Sequence, residues 1–400
     1  MKLLKKKSEK KNNQFLIIAC LAFLLFIIFS IFYLTKNFRE IEDKKIILEP
    51  REEIVVDYDF EAEVFFNDEL GESIFSLEMI NSIDNAQKTI EIAVYSMNHP
   101  DIKEALRRAA ERGVKIDILL CEKGKVIHDV FFADLDDYIN RKDIKFSFSS
   151  LFTDSYLMHH KFMIIDRDLE NRLMFFSSYN FTYLQEKYDP SFVLKTSDFY
   201  FIKVFGEEFD RISLGVHGLE KKNRKINPFA AKIEYNNGFI EIWFSPGDKT
   251  NNLRGRMINL IKESRDNLKI MIWLWTDRLL AQNILNLKPE IKINIITDEV
   301  NINHENSVFG NILSLGTSNN LEVITDEKRQ IEIQKLRDDH LNSFLHHHTL
   351  IIDDKILVTG TSNFSSSGFF SNDESMIVTD IYFLIESFIG SFEINYLKNK

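Results

Sequence analysis

Two short stretches of the chain combine histidines with an apolar run and an aspartate, a pattern suited to binding and attacking an anion. The first reads MHHKFMIID and the second HHHTLIID. In each, a histidine precedes the aspartate by seven residues, and a serine–asparagine element follows, SSYNF in the first and GTSNF in the second. The corresponding pairs are His159 and His346, Lys161 and His348, Asp166 and Asp353, and Asn180 and Asn363.

Strand geometry predicts which of these side chains lie side by side and can act together. Side chains two residues apart point to one face of a strand, so His159 and Lys161 are predicted to project together while His160 points away. An imidazole can act as a nucleophile or proton donor, and an ammonium can clamp an anion. Asn180 and Asn363 offer amide donors. Two facing half-sites would hold one phosphate, with one histidine attacking phosphorus and the other protonating the leaving oxygen.

A metal site at His346–His348 is the competing interpretation, and the sequence disfavours it. Consecutive residues on a strand cannot all converge on one ion, and no cysteine or acidic residue has the spacing to complete a ligand set. The chain has only two cysteines, Cys20 and Cys121, which excludes a disulfide framework and a cysteine-based zinc site. We therefore predict neither a metal nor another cofactor, and Cys121 is predicted to be a core thiol.

The elements that must position these residues also occur twice, at an offset close to 180 residues. The strand-like segment TIEIAVYSM, residues 89–97, corresponds to LKIMIWLWT, residues 268–276. Each is followed by a helical segment and a further apolar strand, and strand–helix–strand order indicates a parallel sheet flanked by helices. We predict an α/β fold of two lobes, residues 59–219 and 229–400, each with a mostly parallel sheet. The polar segment 220–228 is the predicted linker.

The N-terminus predicts a membrane anchor. Residues 15–34 are twenty residues without a charge, enough to span a bilayer as a helix. The basic tail, residues 1–14, predicts a cytoplasmic N-terminus, with the stalk at 35–58 and both lobes on the outer, periplasmic or extracellular face of the cytoplasmic membrane. A cleaved signal peptide and a lipoprotein acylated at Cys20 remain alternatives.

Net charge limits the class of partner. The chain carries −11 in total, and because residues 1–14 carry +5, the remaining residues carry −16. Affinity for long nucleic acids comes mainly from phosphate neutralisation by lysine and arginine. The average surface therefore makes nucleic acid an unfavourable partner, although a small basic cleft would be compatible with this charge.

The duplicated pattern resembles the signature of the phospholipase D superfamily. The resemblance is carried by His159-x-Lys161-x4-Asp166 with Ser178-x-Asn180, and by the second copy with GTSN and NDE, the latter ending at Glu374. It covers most of residues 60–400. It implies two lobes related by a pseudo-twofold axis, an active site at their interface, and phosphodiester cleavage through a phosphohistidine.

The resemblance also implies a role for each site residue. His159 would be the nucleophile and His346 the general acid, and Glu374 would orient His159. Asp166 and Asp353 belong to the catalytic motifs and would brace their local strand–turn structure. The residues implied in phosphate binding are Lys161, Ser178, Asn180, His348 and Asn363.

Two departures from the family pattern make the half-sites unequal. His348 stands where the second lysine would be, so it can clamp a phosphate only if protonated or as a neutral donor. Ser191 stands where a second copy of Glu374 would be. His346 would then have no carboxylate partner unless Asp189 serves, and this asymmetry favours His159 as the nucleophile.

The resulting expectation is a membrane-anchored phosphodiesterase that hydrolyses a phospholipid or transfers its phosphatidyl group. A monomer would suffice for one active site. A nuclease using the same chemistry is the first alternative, and a positive cleft would support it. A catalytically impaired binding protein, motivated by His348 and Ser191, is the second.

Overall fold

The computed structural model describes residues 52–400 except for 70–73, 136–137, 139–142, 150–155, 248–251, 311–319 and 337–343. The predicted basic tail, the predicted anchor at 15–34 and most of the predicted stalk lie outside the described residues. Within the described part of the chain, no helix has the length and apolar character needed to cross a membrane.

Sixteen described strands form two sheets. The first sheet has the order β2-β8-β7-β6-β3-β4-β5 and the second β1-β9-β10-β16-β15-β14-β11-β12-β13. The bounds are β1 Glu52–Val55, β2 Glu63–Phe66, β3 Thr89–Val94, β4 Lys115–Cys121, β5 Ile144–Ser149, β6 Lys161–Ile165, β7 Leu173–Ser177, β8 Phe192–Thr196, β9 Phe229–Tyr235, β10 Gly238–Phe244, β11 Asn267–Ile272, β12 Lys292–Thr297, β13 Leu321–Thr325, β14 His348–Ile352, β15 Ile356–Gly360 and β16 Ser375–Thr379.

The described α-helices flank these sheets. Their bounds are α1 Phe75–Asp84, α2 Pro100–Glu111, α3 Lys125–Phe131, α4 Tyr183–Tyr188, α5 Phe199–Ser213, α6 Leu219–Asn223, α7 Leu253–Glu263, α8 Arg278–Leu285, α9 Glu299–Ile302, α10 Glu327–Leu336, α11 Ser366–Phe370 and α12 Tyr382–Asn399. Cys121 ends β4 and is buried, as predicted.

The prediction of mostly parallel sheets is wrong. Only the β3-β4-β5 and β11-β12-β13 portions and the β1-β9 pair are parallel. The strands that follow the histidines run antiparallel to their neighbours on both sides, with β6 between β3 and β7, and β14 between β11 and β15. The reason is connection length, because β6–β7 and β14–β15 are joined by short turns, whereas a parallel crossover needs about a dozen residues or more.

The two lobes repeat the same local contacts, which supports the predicted duplication. The backbone N–H groups of Asn98 and His99 both donate to the carbonyl of Phe181 in lobe 1. In lobe 2 the N–H groups of Thr276 and Asp277 both donate to the carbonyl of Phe364. Each bond joins the segment after the first parallel strand to the residue after the motif asparagine, so the asparagine is fixed against the same edge in each lobe.

The lobes share one hydrophobic core, built largely around α5 and α12. Phe388 of α12 packs on Phe66 and Phe192 of lobe 1 with ring centroids 5.1 and 5.0 Å apart. Phe205 of α5 packs on Phe244 of lobe 2 at 5.1 Å. Burial of these rings favours a fixed relation between the lobes.

Two predicted connecting segments contain regular structure. Residues 52–55, which lie within the predicted stalk, form β1 and pair in parallel with β9 of the second sheet. The segment 220–228, predicted as a linker, includes most of α6.

Candidate active site between the lobes

The two motif aspartates hold the strands that carry the catalytic motifs. Asp166 follows β6 with a φ of 50°, and its carboxylate accepts hydrogen bonds from the backbone N–H groups of residues 87–89. Asp353 follows β14 with a φ of 54° and accepts from the N–H groups of residues 265–267. Both carboxylates are thus used by the backbone, as the bracing role requires.

His159 is bound to the opposite lobe. Its Nδ1 lies 2.7 Å from Oε2 of Glu374 and 3.1 Å from the carbonyl oxygen of Thr361. The backbone aligns these groups, because the N–H of His159 donates to the carbonyl of Asp373 at 2.8 Å. Both groups facing Nδ1 are acceptors, so Nδ1 carries the hydrogen, and in the neutral ring Nε2 keeps its lone pair.

The carboxylate that orients His159 is itself fixed by hydrogen bonds. The hydroxyl of Thr361 donates to Oε2 of Glu374 at 2.7 Å, and Nδ2 of Asn372 donates to Oε1 at 3.0 Å. Glu374 is almost fully buried. These bonds hold the His159 ring in one orientation.

Lys161 lies beside His159, as the alternation of side chains predicts. Its Nζ donates to the carbonyl of His159 at 3.0 Å and lies 5.9 Å from the ring centroid of Tyr95. Tyr95 also contacts the His159 ring, with centroids 5.2 Å apart. Burial lowers the pKa of Lys161 to about 7, and the Glu374 carboxylate opposes this shift.

Burial also lowers the pKa of His159 below its ordinary value. The charge of Lys161 acts in the same direction, while the Glu374 carboxylate opposes both effects. The neutral, nucleophilic form of His159 is therefore favoured at neutral pH.

The second histidine has a weaker carboxylate contact. Nε2 of His346 lies 3.5 Å from Oδ2 of Asp189, so the partner predicted in lobe 1 is nearby but not at hydrogen-bond distance. The other carboxylate oxygen of Asp189 accepts from the N–H of Phe344 at 3.0 Å. Trp273 stacks on the imidazole with centroids 5.7 Å apart, which makes it a wall of the site.

The surroundings of His346 and His348 favour the neutral form of both rings. Burial lowers the pKa of each well below its ordinary value, and Lys161 and His159 lower it further. Neither ring nitrogen of His348 has a hydrogen-bond partner among the described residues. His348 is therefore no cationic equivalent of Lys161.

The remaining predicted phosphate ligands divide into two kinds. The side-chain carbonyl oxygens of Asn180 and Asn363 are buried and have no partner within the described part of the chain. The hydroxyl of Ser178, in contrast, accepts a hydrogen bond from the N–H of Phe192 at 3.1 Å and so contributes to the attachment of β8.

Sequence reasoning did not assign roles to Thr361, Asn372, Tyr95 or the surroundings of His160. His160 bonds through Nδ1 to the hydroxyl of Ser375 at 2.7 Å and lies 3.3 Å from Glu208. The GTSN and NDE strings contained Thr361 and Asn372, but only the fold shows that both converge on Glu374.

One described group of side chains, His160, Glu208 and Asp373, has spacing that could suit a metal ion. In this structure the ammonium of Lys221 contacts both carboxylates, at 2.6 Å from Oδ1 of Asp373, and Arg211 also pairs with Glu208. Burial alone would raise the pKa of Glu208, but Lys221 and Arg211 outweigh it and hold that pKa below its usual range. The acidic charge is thus neutralised by the chain's own cations.

Comparison with known proteins points to the same family as the motifs. The family model described as "Cardiolipin synthase, PLD-like domain" matches residues 79–213 and 257–393, more than half of the chain. The mitochondrial cardiolipin hydrolase of Xenopus laevis is 21% identical over 149 residues, 37% of this chain. That of Xenopus tropicalis is 20% identical over 149 residues. The match spans 63% of the length of each of these relatives.

Solved structures share the fold. The phosphatidylserine synthase of Haemophilus influenzae Rd KW20 has a TM-score of 0.62 at 15% identity, covering 86% of this chain and 88% of that chain. The polyphosphate kinase of Porphyromonas gingivalis has a TM-score of 0.53 at 11% identity, covering 84% of this chain and 50% of that chain. These likenesses establish the two-lobed architecture and not the substrate.

Proposed function

Because the chain belongs to the phospholipase D superfamily, we propose that it is an enzyme that cleaves or transfers the phosphodiester of a phospholipid. The observation that carries the proposal is the 2.7 Å contact between Nδ1 of His159 and Glu374, which leaves Nε2 as a nucleophile. The cardiolipin hydrolases that resemble the chain act, by their names, on a phospholipid. The acidic body of the chain supports the same class of substrate over a nucleic acid.

The reaction divides into two displacements at phosphorus. Nε2 of His159 attacks phosphorus, the bond to the leaving alcohol breaks, and His346 gives that oxygen a proton. Water then attacks phosphorus of the phosphohistidine, and His346 takes the proton that the water loses. The bond between phosphorus and Nε2 of His159 breaks, which frees His159. An alcohol in place of water would give phosphatidyl transfer, so the same intermediate allows both outcomes.

The transition-state charge would be balanced by Lys161 and by the amide groups of Asn180 and Asn363. His346 is neutral in the free protein because burial and the neighbouring Lys161 lower its pKa. A bound phosphate anion opposes both effects, so we propose that substrate binding brings a proton to His346. The proposed chemistry uses these side chains and no metal.

Membrane attachment belongs to the same proposal. The uncharged segment at 15–34 would hold the lobes at the outer face of the cytoplasmic membrane, with the basic tail inside. A site tethered there would meet phospholipid at high local concentration.

The test uses the full chain in mixed micelles of phospholipid and detergent, with EDTA and labelled DNA in the same assay. We expect headgroup or phosphatidic acid release in EDTA, and a labelled phosphoenzyme after acid-free denaturation. His159→Ala should abolish both signals, whereas His346→Ala should still form the phosphoenzyme from a nitrophenyl phosphodiester, whose leaving group needs no proton. Cut DNA with intact lipid would replace this proposal by a nuclease, and equal inertness of wild type and His159→Ala on both substrates would favour a binding protein.

A further inference from the structure

A cavity of about 780 Å³ opens where the interlobe connection meets lobe 2. It is lined by Lys222, Lys225, Ile226, Pro246, Gly247, Arg254, Ser366 and Phe370. Three of these residues are cations and none is an acid. Another cavity of the same lobe is lined by Glu53 and Glu241 together with Lys232 and Arg256, so its charges balance. Among the described lining residues, an excess of cations therefore distinguishes the first cavity, in a chain that is acidic overall.

Within the described part of the chain, the two lysines of this cavity have no acidic partner. Lys222 is half-buried and Lys225 is exposed, and neither forms an ion pair with any described residue. Burial lowers the pKa of Lys222, and no carboxylate among the described residues offsets the loss of hydration. Arg254 pairs with Asp277 at 3.1 Å and lies 4.5 Å from the ring centroid of Phe370. An anion bound in the cavity would supply the negative charge that would pair with the two lysines.

Lys225 occupies a backbone position that normally selects glycine. It has a φ of 55° directly after the C-cap of α6, its N–H donates to the carbonyl of Lys222, and the N–H of Ile226 donates to that of Lys221. This is the usual hydrogen-bond pattern of a helix end with a left-handed residue, where a side chain is unfavourable. The lysine at this position has a strained backbone conformation, and its side chain places a positive charge at the cavity.

Helix α6, which contains Lys222 and ends just before Lys225, is bonded to the segment that carries Glu374. Lys221, one residue before Lys222, is buried and contacts Glu208 and Asp373. Asp373 in turn precedes Glu374, which orients His159. The position of the cavity lysines is therefore coupled to that of the nucleophile through one buried side chain.

Two walls of the cavity are also attached to segments of the catalytic centre. The N–H of Ser245 donates to the carbonyl of Glu374 at 3.0 Å, and Pro246 and Gly247 then line the cavity. On the other side Ser366 lies three residues after Asn363 and begins α11. The cavity walls are therefore joined to the segments that carry Glu374 and Asn363.

From these contacts we infer that the cavity binds a second phosphate group, carried by a phospholipid, beside the phosphodiester that reacts with His159. Lys222, Lys225 and Arg254 would pair with the phosphate oxygens. Ile226, Pro246 and Phe370 offer apolar contacts that a lipid can use and a free phosphate cannot. The inference rests on the proposed function, because it assigns a further subsite for the same lipid substrate.

The first experiment measures binding without turnover, using the full chain with His159→Ala in non-ionic detergent. Calorimetry with a short-chain phosphatidic acid should give two binding equivalents. Adding Lys222→Gln and Lys225→Gln should remove one equivalent, or weaken it roughly ten-fold or more, since each lysine near anionic lipid contributes about a five-fold gain. The matched control is Lys262→Gln with Lys288→Gln, two exposed lysines of the same lobe outside the cavity, and it should leave both equivalents intact.

Each other outcome overturns the inference. If inorganic phosphate binds the cavity as tightly as the lipid does, the lipid assignment fails. If a short DNA strand binds instead and loses affinity with the two lysines, the cavity belongs to a nucleic acid. If the double variant behaves like its control, the cavity is no phosphate site.

A kinetic comparison separates failure of the inference from failure of the proposed function. In a chain with His159 intact, the two cavity substitutions should lower kcat/KM for a lipid with two phosphates at least ten-fold relative to a lipid with one. An unchanged ratio in an active enzyme defeats only the inference. No lipid turnover by the wild type, together with lysine-dependent lipid binding, defeats only the proposed function.

Discussion

The two half-sites come from one duplicated pattern, yet they differ in the carboxylate contact of the histidine and in the residue two positions after it. In lobe 1, His159 has a carboxylate at 2.7 Å and Lys161 as its neighbour. In lobe 2, His346 has its carboxylate at 3.5 Å, and His348 replaces the lysine. The two histidines of one duplicated pattern therefore have unequal surroundings, which is compatible with the different roles proposed for them.

The difference suits the separate demands of the two roles. A nucleophile must hold one tautomer and one direction of attack, which the bonds from Nδ1 of His159 to Glu374 and Thr361 provide. A general acid must gain and lose a proton, and a looser carboxylate contact leaves His346 free to do so. The asymmetry of the pair is thus compatible with activity.

The largest expected effect distinguishes the two histidines. We expect His159→Ala to lower kcat at least about 10³-fold on any phosphodiester, because the covalent intermediate is lost. His346→Ala should lower kcat on the order of 10³-fold with a lipid alcohol. With a nitrophenolate leaving group, which needs no proton, the first release of nitrophenolate should slow only about ten-fold, although later turnovers still lack the base that His346 supplies to water. Burst and steady-state rates on both substrates test this, with the exposed His304→Ala as control. Equal losses for both variants on both substrates would remove the division of tasks.

The next comparison concerns the charge clamp. Lys161→Gln should lower kcat/KM about 10²- to 10³-fold, because a cation aimed at the phosphate is lost. His348→Gln should cost less than about ten-fold, since burial holds the pKa of His348 so low that it carries no charge to lose. Parallel measurements of kcat/KM decide the point. A loss at His348 as large as that at Lys161 would mean that His348 becomes protonated in the complex.

The two carboxylates should differ in the same direction. We expect Glu374→Gln to lower kcat on the order of 10²-fold, because an amide can present the wrong group to Nδ1 of His159. Asp189→Asn should lower it less than about ten-fold, given the 3.5 Å separation from His346. Melting temperatures of both variants control for the bond from Phe344 to Asp189. A larger effect at Asp189 would exchange the roles of the lobes.

Much of this comparison was predictable because the chemistry recurs in the chain at fixed spacing. The His159–Lys161 alternation follows from strand geometry, whereas the family resemblance implied the bracing by Asp166 and Asp353 and the link from Glu374 to His159. The structure places these residues accordingly. Spacing within a strand or turn is local information, so a sequence retains it.

What the sequence did not predict depends on how distant segments meet. The antiparallel pairing of β6 with β3 and of β14 with β11 joins strands that are distant in the sequence, which a strand–helix–strand interpretation overlooks. The hydroxyl of Thr361 reaches Glu374 only because β15 and β16 pair in one register. The weak contact of Asp189 with His346 depends on the docking of whole lobes, which no local pattern encodes.

The smallest expected effect is a pH dependence that comes from lobe 1. Burial lowers the pKa of Lys161 to about 7, so its cationic form is lost as the pH rises through about 7, and kcat/KM should fall several-fold between about pH 7 and pH 8 and further above it. Burial also lowers the pKa of His159, so its ring stays neutral at pH values below the ordinary histidine pKa. The acid limb of the profile should therefore lie below pH 6.5. A pH profile of kcat/KM checks both limbs. Lys161→Arg, which keeps its charge to high pH, should remove the alkaline limb while lowering the plateau. An alkaline limb that survives this substitution would assign the titration to another group and weaken the case that lobe 1 supplies the phosphate clamp.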